Sequence, residues 1–127
     1  MIAKIRRLYN LVFFRSNFFL WTVVASLIAN ILTWSLIFLG FDTLYQADRE
    51  FIPLHYKVPI GPDFYSNWYW IFALPIVGFL FIGFNFFFAR FLYQKIRIAA
   101  LLLSAAGFFA QIIFMRAVYL IIQINLY

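Results

Sequence analysis

The sequence predicts an all-α membrane protein with three transmembrane helices and an ordered extracytoplasmic loop between the first and second. Three observations carry this. Hydrophobic residues make up 67% of 127 positions and aromatics 24%, far more apolar surface than one soluble core of that length could hide. Three long stretches, residues 18–40, 68–89 and 98–121, are almost free of charge, and at ~1.5 Å per residue each helix reaches across the ~30 Å hydrocarbon of a bilayer. Basic residues flank these stretches, so the net charge of +6 reads as membrane topology and anionic-lipid contact at the cytoplasmic face rather than as a nucleic-acid surface. The chain has no cysteine, which excludes disulfides, thiolate metal sites and cysteine nucleophiles.

Residues 1–17 place Lys4, Arg6, Arg7 and Arg15 among apolar neighbours, with Ile5, Leu8 and Val12 on one helical face. Such a segment is expected either to lie amphipathically at the headgroups or to serve as a plain basic flank. The long apolar run that follows lacks a small-residue cleavage site, so the segment is expected to be retained. In the first span Thr22, Ser26, Ala29 and Thr33 follow helical spacing, with Asn30 beside them, and that stripe should face protein rather than lipid. The second span carries Gly78, Asn85 and Ala89 on one face, and the third repeats the device with Ala100, Ser104, Gly107 and Gln111.

Depth decides which of these polar groups can meet. Counted from the cytoplasmic ends, Asn30 lies ~18 Å deep, Gln111 ~20 Å and Asn85 only ~8 Å. Asn30 should therefore pair with Gln111. Asn85 should look to Ser104 or Ser26, at ~9 and ~12 Å. Amides that glue helices together are the favoured reading over a substrate path, because no acid or histidine lies within a span to carry ions or protons.

Orientation follows from charge. Seven basic residues, Lys4, Arg6, Arg7, Arg15, Arg90, Lys95 and Arg97, fall in the N-terminal segment and in the elbow at 90–97 without a single acid. The loop at 41–67 has Arg49 and Lys57 with all four acids, Asp42, Asp48, Glu50 and Asp63. The N-terminus and elbow are thus expected in the cytoplasm, and the loop and the tail at 122–127 outside a cell membrane. Arg116, ~27 Å along the third span, should reach the outer interface and pair with lipid phosphate or a loop acid such as Asp63.

Within the loop, Asp42 could cap a short helix through Phe51, after which Ile52, Leu54, Tyr56 and Val58 alternate with polar or proline positions as a half-buried extended segment would. Pro59-Ile60-Gly61-Pro62-Asp63 then forces a turn, and Phe64, Tyr65, Trp68, Tyr69 and Trp70 form an interfacial aromatic belt. His55 is the sole histidine, and no nucleophile motif or metal-ligand spacing accompanies it. A hydrogen-bonded histidine that orders the loop is favoured over a catalytic or metal role, and neither a metal nor a cofactor is expected.

Pro53-Leu54-His55-Tyr56, followed by Gly61-Pro62-Asp63 and a span containing Leu74-Pro75, resembles an uncharacterised bacterial membrane-protein family. That family has a Pro-x-His-aromatic motif and a Gly-x-Pro-Asp turn, and its domain also occurs in immunity proteins against secreted peptide toxins. The resemblance covers residues 18–88 and implies the same topology, with the outer loop as the distinctive part. The expected function is that of a non-enzymatic accessory or structural subunit in a bacterial membrane, whose loop recognises a membrane or extracytoplasmic partner through Pro53, His55, Tyr56, Gly61, Asp63 and Arg116. Three short spans rarely enclose a cavity, so a homo-oligomer or larger complex is expected. The alternative is a lipid-modifying enzyme or transporter subunit using His55, Asp63 and Arg116.

Overall fold

The computed structural model of the protein describes residues 1–7, 17–45 and 51–126. Three of its helices, over residues 18–39, 68–92 and 97–126, are long and apolar enough to cross a membrane, making the chain a multi-pass membrane protein. Residues 2–7 are helical and exposed; Leu8 and Val12 of the expected amphipathic face lie outside the described residues.

In order, the elements are α1 (Asn17–Leu39), α2 (Phe41–Leu44), β1 (Ile52–Lys57), β2 (Gly61–Ser66), a 3-10 helix (Trp68–Phe72), α3 (Ala73–Leu92) and α4 (Arg97–Leu126). Helix α4 packs along both α1 and α3, which touch each other less, so α4 is the shared wall of the bundle. The second span opens with 3-10 turns because Pro75 offers no N–H for the carbonyl four residues back, and the tighter hydrogen bonding before it avoids that gap. It continues to Leu92, which shortens the elbow to residues 93–96.

The third span differs most from its expected limits. It runs 30 residues through Leu126 instead of ending at 121, a length of ~45 Å against the ~30 Å of hydrocarbon. The surplus turns are not a free tail: Asn125 within them is buried, as are Val118 and Ile121 just before them. They form a post on which the loop between the first two spans rests.

That loop is a β-hairpin. Strands β1 and β2 pair antiparallel from Ile52↔Ser66 to Lys57↔Gly61. One shift leaves Leu54 as an extra residue in β1, and a second leaves Asp63 extra in β2. The turn occupies residues 58–60, earlier than the expected 59–63, and Gly61 at φ +93° opens β2 in a conformation that side chains rarely adopt. Val58 therefore leaves the expected alternation and is 84% exposed, whereas Ile52 is buried and Leu54 packs against the core. The short helix also differs from expectation. Gly40 is its N-cap residue, Asp42 lies inside the first turn without capping it, and an extended Tyr45 ends it long before Phe51.

Two apolar clusters mark the ends of the bundle. At the hairpin end Ile37, Leu44, Ile52, Ile71, Val118 and Ile121 form one core, with Leu54 and Trp68 among the residues packed on it. At the elbow end Phe19, Ala89 and Ala100 form the other. Between them the interior is polar.

Candidate functional site

The polar seam is built by two amides and a glycine. Asn30 on α1 donates through Nδ2 to Gln111 Oε1 on α4 at 3.2 Å and to the Pro75 carbonyl on α3 at 3.0 Å. Gln111 Nε2 completes the set by donating to the Gly78 carbonyl at 2.9 Å, so one small network ties all three spans. A carbonyl has two lone pairs, so α3 can accept both bonds without surrendering its own ladder. Gly78 makes the approach possible: a Cβ there would stand 2.8 Å from Gln111 Oε1 and 3.0 Å from Asn30 Nδ2. Asn30 and Gln111 meet as their depth implied.

Nearer the elbow the partners differ from expectation. Asn85 Nδ2 reaches the Leu103 carbonyl at 3.5 Å, while the Ser104 hydroxyl bonds that of Thr22 and the Ser26 hydroxyl donates to the Thr22 carbonyl at 2.7 Å. Backbone carbonyls four residues back are always within reach of a helical hydroxyl, and in lipid such a bond removes the cost of an unpaired group. Asn85, Ser26, Ser104 and Gly107 still line one void of about 10 Å³, near the lower limit for a water. Asn85 also sits where a Cβ on Gly107 would be, 2.5 Å from Nδ2.

At the hairpin end the loop is anchored rather than suspended. Ile52 is buried in the core beside Ile71 and Val118. The Pro53 carbonyl accepts a 3.0 Å bond from Asn125 Nδ2, which also donates to the Ile121 carbonyl at 2.8 Å. Asn125 is therefore a structural link that its place in an apparent polar tail concealed. Asn125 Oδ1 is buried without a partner among the described residues. Aromatic rings collar the same level. Trp68 turns inward to meet Phe41 and Tyr45 edge-on at 5.4 Å and Phe72 at 6.0 Å, whereas Phe64, Tyr65, Tyr69 and Trp70 remain exposed. These are the rings that the sequence reads as an interfacial belt.

The expected recognition residues differ in their surroundings. Pro53 is half-buried and occupied by Asn125; His55 is exposed on β1; Gly61 supplies the turn geometry. The side chains of Tyr56 and Asp63 lie outside the described residues. Arg116 is exposed, and its guanidinium lies 5.4 Å from the centre of the Tyr119 ring, toward the hairpin end of α4. Among the described residues no three His, Asp or Glu side chains gather as a metal site would need.

Two features of this end were not read from the sequence. The hairpin tip presents Val58 and Ile60, 84% and 77% exposed. A groove of about 560 Å³ runs between the hairpin, the start of the second span and α4, lined by His55, Phe64 and Ser66 from the hairpin and by Leu74, Ala117 and Ile121 from the helices. The extra residue at Leu54 explains how consecutive residues Leu54 and His55 both line it, since regular alternation would send them to opposite faces.

Comparison with protein-family models, with curated proteins and with solved structures found no match. The functional reading therefore rests on the geometry of this chain.

Proposed function

We propose that the protein is a non-enzymatic integral membrane subunit that uses the hairpin to recognise a partner at the outer face of a bacterial cell membrane. The observation that supports this reading is the contrast within the hairpin. Its base is fixed by buried Ile52 and the Asn125–Pro53 bond, yet its tip holds Val58 and Ile60 exposed. A rigid mount spares a binding surface the entropy of ordering on contact, and exposed aliphatic groups gain by being covered. The loop motifs that resemble the bacterial family lie in this same hairpin, and the charge asymmetry supports placing it outside, with the N-terminus and elbow cytoplasmic and in contact with anionic lipid.

Two experiments test the reading. A photo-crosslinking residue at position 60 should capture a defined partner in cells, and one at position 94 in the elbow should not. Val58→Ser with Ile60→Ser should abolish that complex without changing the thermal midpoint in detergent, and His55→Ala should weaken it. A complex indifferent to all three substitutions would remove the hairpin from recognition. For orientation, a cysteine at Ile60 should react with an impermeant thiol reagent added outside and one at Gln94 should not; the reverse would invert the topology.

A further inference from the structure

We propose that the groove between the hairpin, the 3-10 helix and α4 seats one acyl chain of a membrane phospholipid, with its phosphate on the hairpin side, at His55 and Ser66. This goes beyond recognition at the hairpin tip and does not depend on it. The two sides of the groove differ: the hairpin contributes His55 and Ser66 beside Leu54 and Phe64, whereas the helices contribute Ala73, Leu74, Ala117 and Ile121 with Trp70 and Ile71. That division matches the bilayer. Counting from Arg97, Ala117 stands ~30 Å along α4, at the edge of the hydrocarbon, and Trp70 in the groove wall belongs to the interfacial aromatic collar. The groove thus lies at the boundary between headgroup and acyl depth.

An open apolar groove at that depth is filled by whatever apolar chain the bilayer offers, and the volume of about 560 Å³ falls within the ~300–1,000 Å³ of ordinary ligand sites. The polar side chains of the hairpin side select the head. Histidine and serine both donate to phosphate oxygens. Arg116 adjoins Ala117 in the chain, and its guanidinium is lifted toward Tyr119, one turn nearer the hairpin, in the direction in which a basic side chain snorkels to the headgroups.

The test is native mass spectrometry of the full chain exchanged into detergent micelles containing palmitoyl-oleoyl-phosphatidylglycerol. One phospholipid should remain bound per chain. Ala117→Phe should remove it by filling the groove, as should the separate variant Ala73→Leu, while Leu120→Phe on an exposed position of the same helix should retain it; circular dichroism checks that each variant is folded. His55→Ala with Ser66→Ala should lower affinity roughly tenfold, as the loss of a hydrogen bond to a charged group predicts. Equal retention by the wild type and both groove-filling variants would overturn the seat. Retention of oleate as tight as that of the phospholipid would overturn the phosphate assignment.

Discussion

At the level of Asn30 and Gln111 the spans meet through amides and a bare glycine, whereas a few turns along, around Ile52, Ile71 and Val118, the hairpin meets the helices through aliphatic side chains. The difference follows from the solvent each region would otherwise face. Lipid tails are as apolar as leucine, so at mid-bundle no hydrophobic gain distinguishes helix contact from lipid contact, and close backbone approach with hydrogen bonds must hold the seam. At the hairpin the alternative is headgroups and water, and removing aliphatic surface from water is favourable again. One chain thus uses two kinds of core.

The sharpest way to break that comparison is to force the seam apart. Gly78→Leu should cost ~3 kcal/mol or more, because its added atoms meet the Asn30–Gln111 pair in a place without room to yield. Gly83→Leu is the matched control on the same helix, where a Cβ meets nothing within 4 Å, and should leave the thermal midpoint in detergent unchanged. Gly107→Leu should behave like the first and Leu102→Phe, on a 66% exposed position, like the second. Equal shifts for all four would mean that close approach does not hold the bundle.

A comparable loss should come from Ile71→Ala, at ~3 kcal/mol, but confined to the other region. Hydrogen exchange should show the amides of residues 52–66 losing protection while the amides around Asn30 keep theirs. Uniform deprotection would show that hairpin and seam form a single cooperative unit.

Smaller effects sharpen the picture. Gln111→Leu should cost only ~1 kcal/mol by thermal unfolding in detergent, since intramembrane hydrogen bonds are modest and Asn30 keeps the Pro75 carbonyl. A loss as large as that of Gly78→Leu would make the amide, not the close approach, the main element of the seam. Least of all, Gly61→Ala should cost ~1 to 2 kcal/mol through its positive φ and should be visible only in the hairpin exchange rates.

How much was legible depends on how far apart the interacting residues lie. Asn30 and Gln111 are 81 positions apart, yet their pairing could be read because both sit on straight helices that share one membrane, and rise per residue converts sequence position into depth. Asn85 was misread at the same resolution: depth brought it beside Ser104 and Ser26, but only packing could show that those hydroxyls bond to Thr22 on α1 and that the Asn85 amide reaches the Leu103 carbonyl. Val58 was misread because period-two alternation says nothing about where a strand stops.

By itself the sequence determined that three helices cross a membrane and where the polar seam lies along them, because hydropathy and helical periodicity are local properties written in consecutive residues. Only the tertiary structure decided that α4 continues through Leu126 to carry the hairpin, that Asn125 holds Pro53 across 72 positions, and that the displaced register at Leu54 lets Leu54 and His55 line one groove. These depend on which surfaces of distant segments come into contact, and no stretch of residues contains both partners.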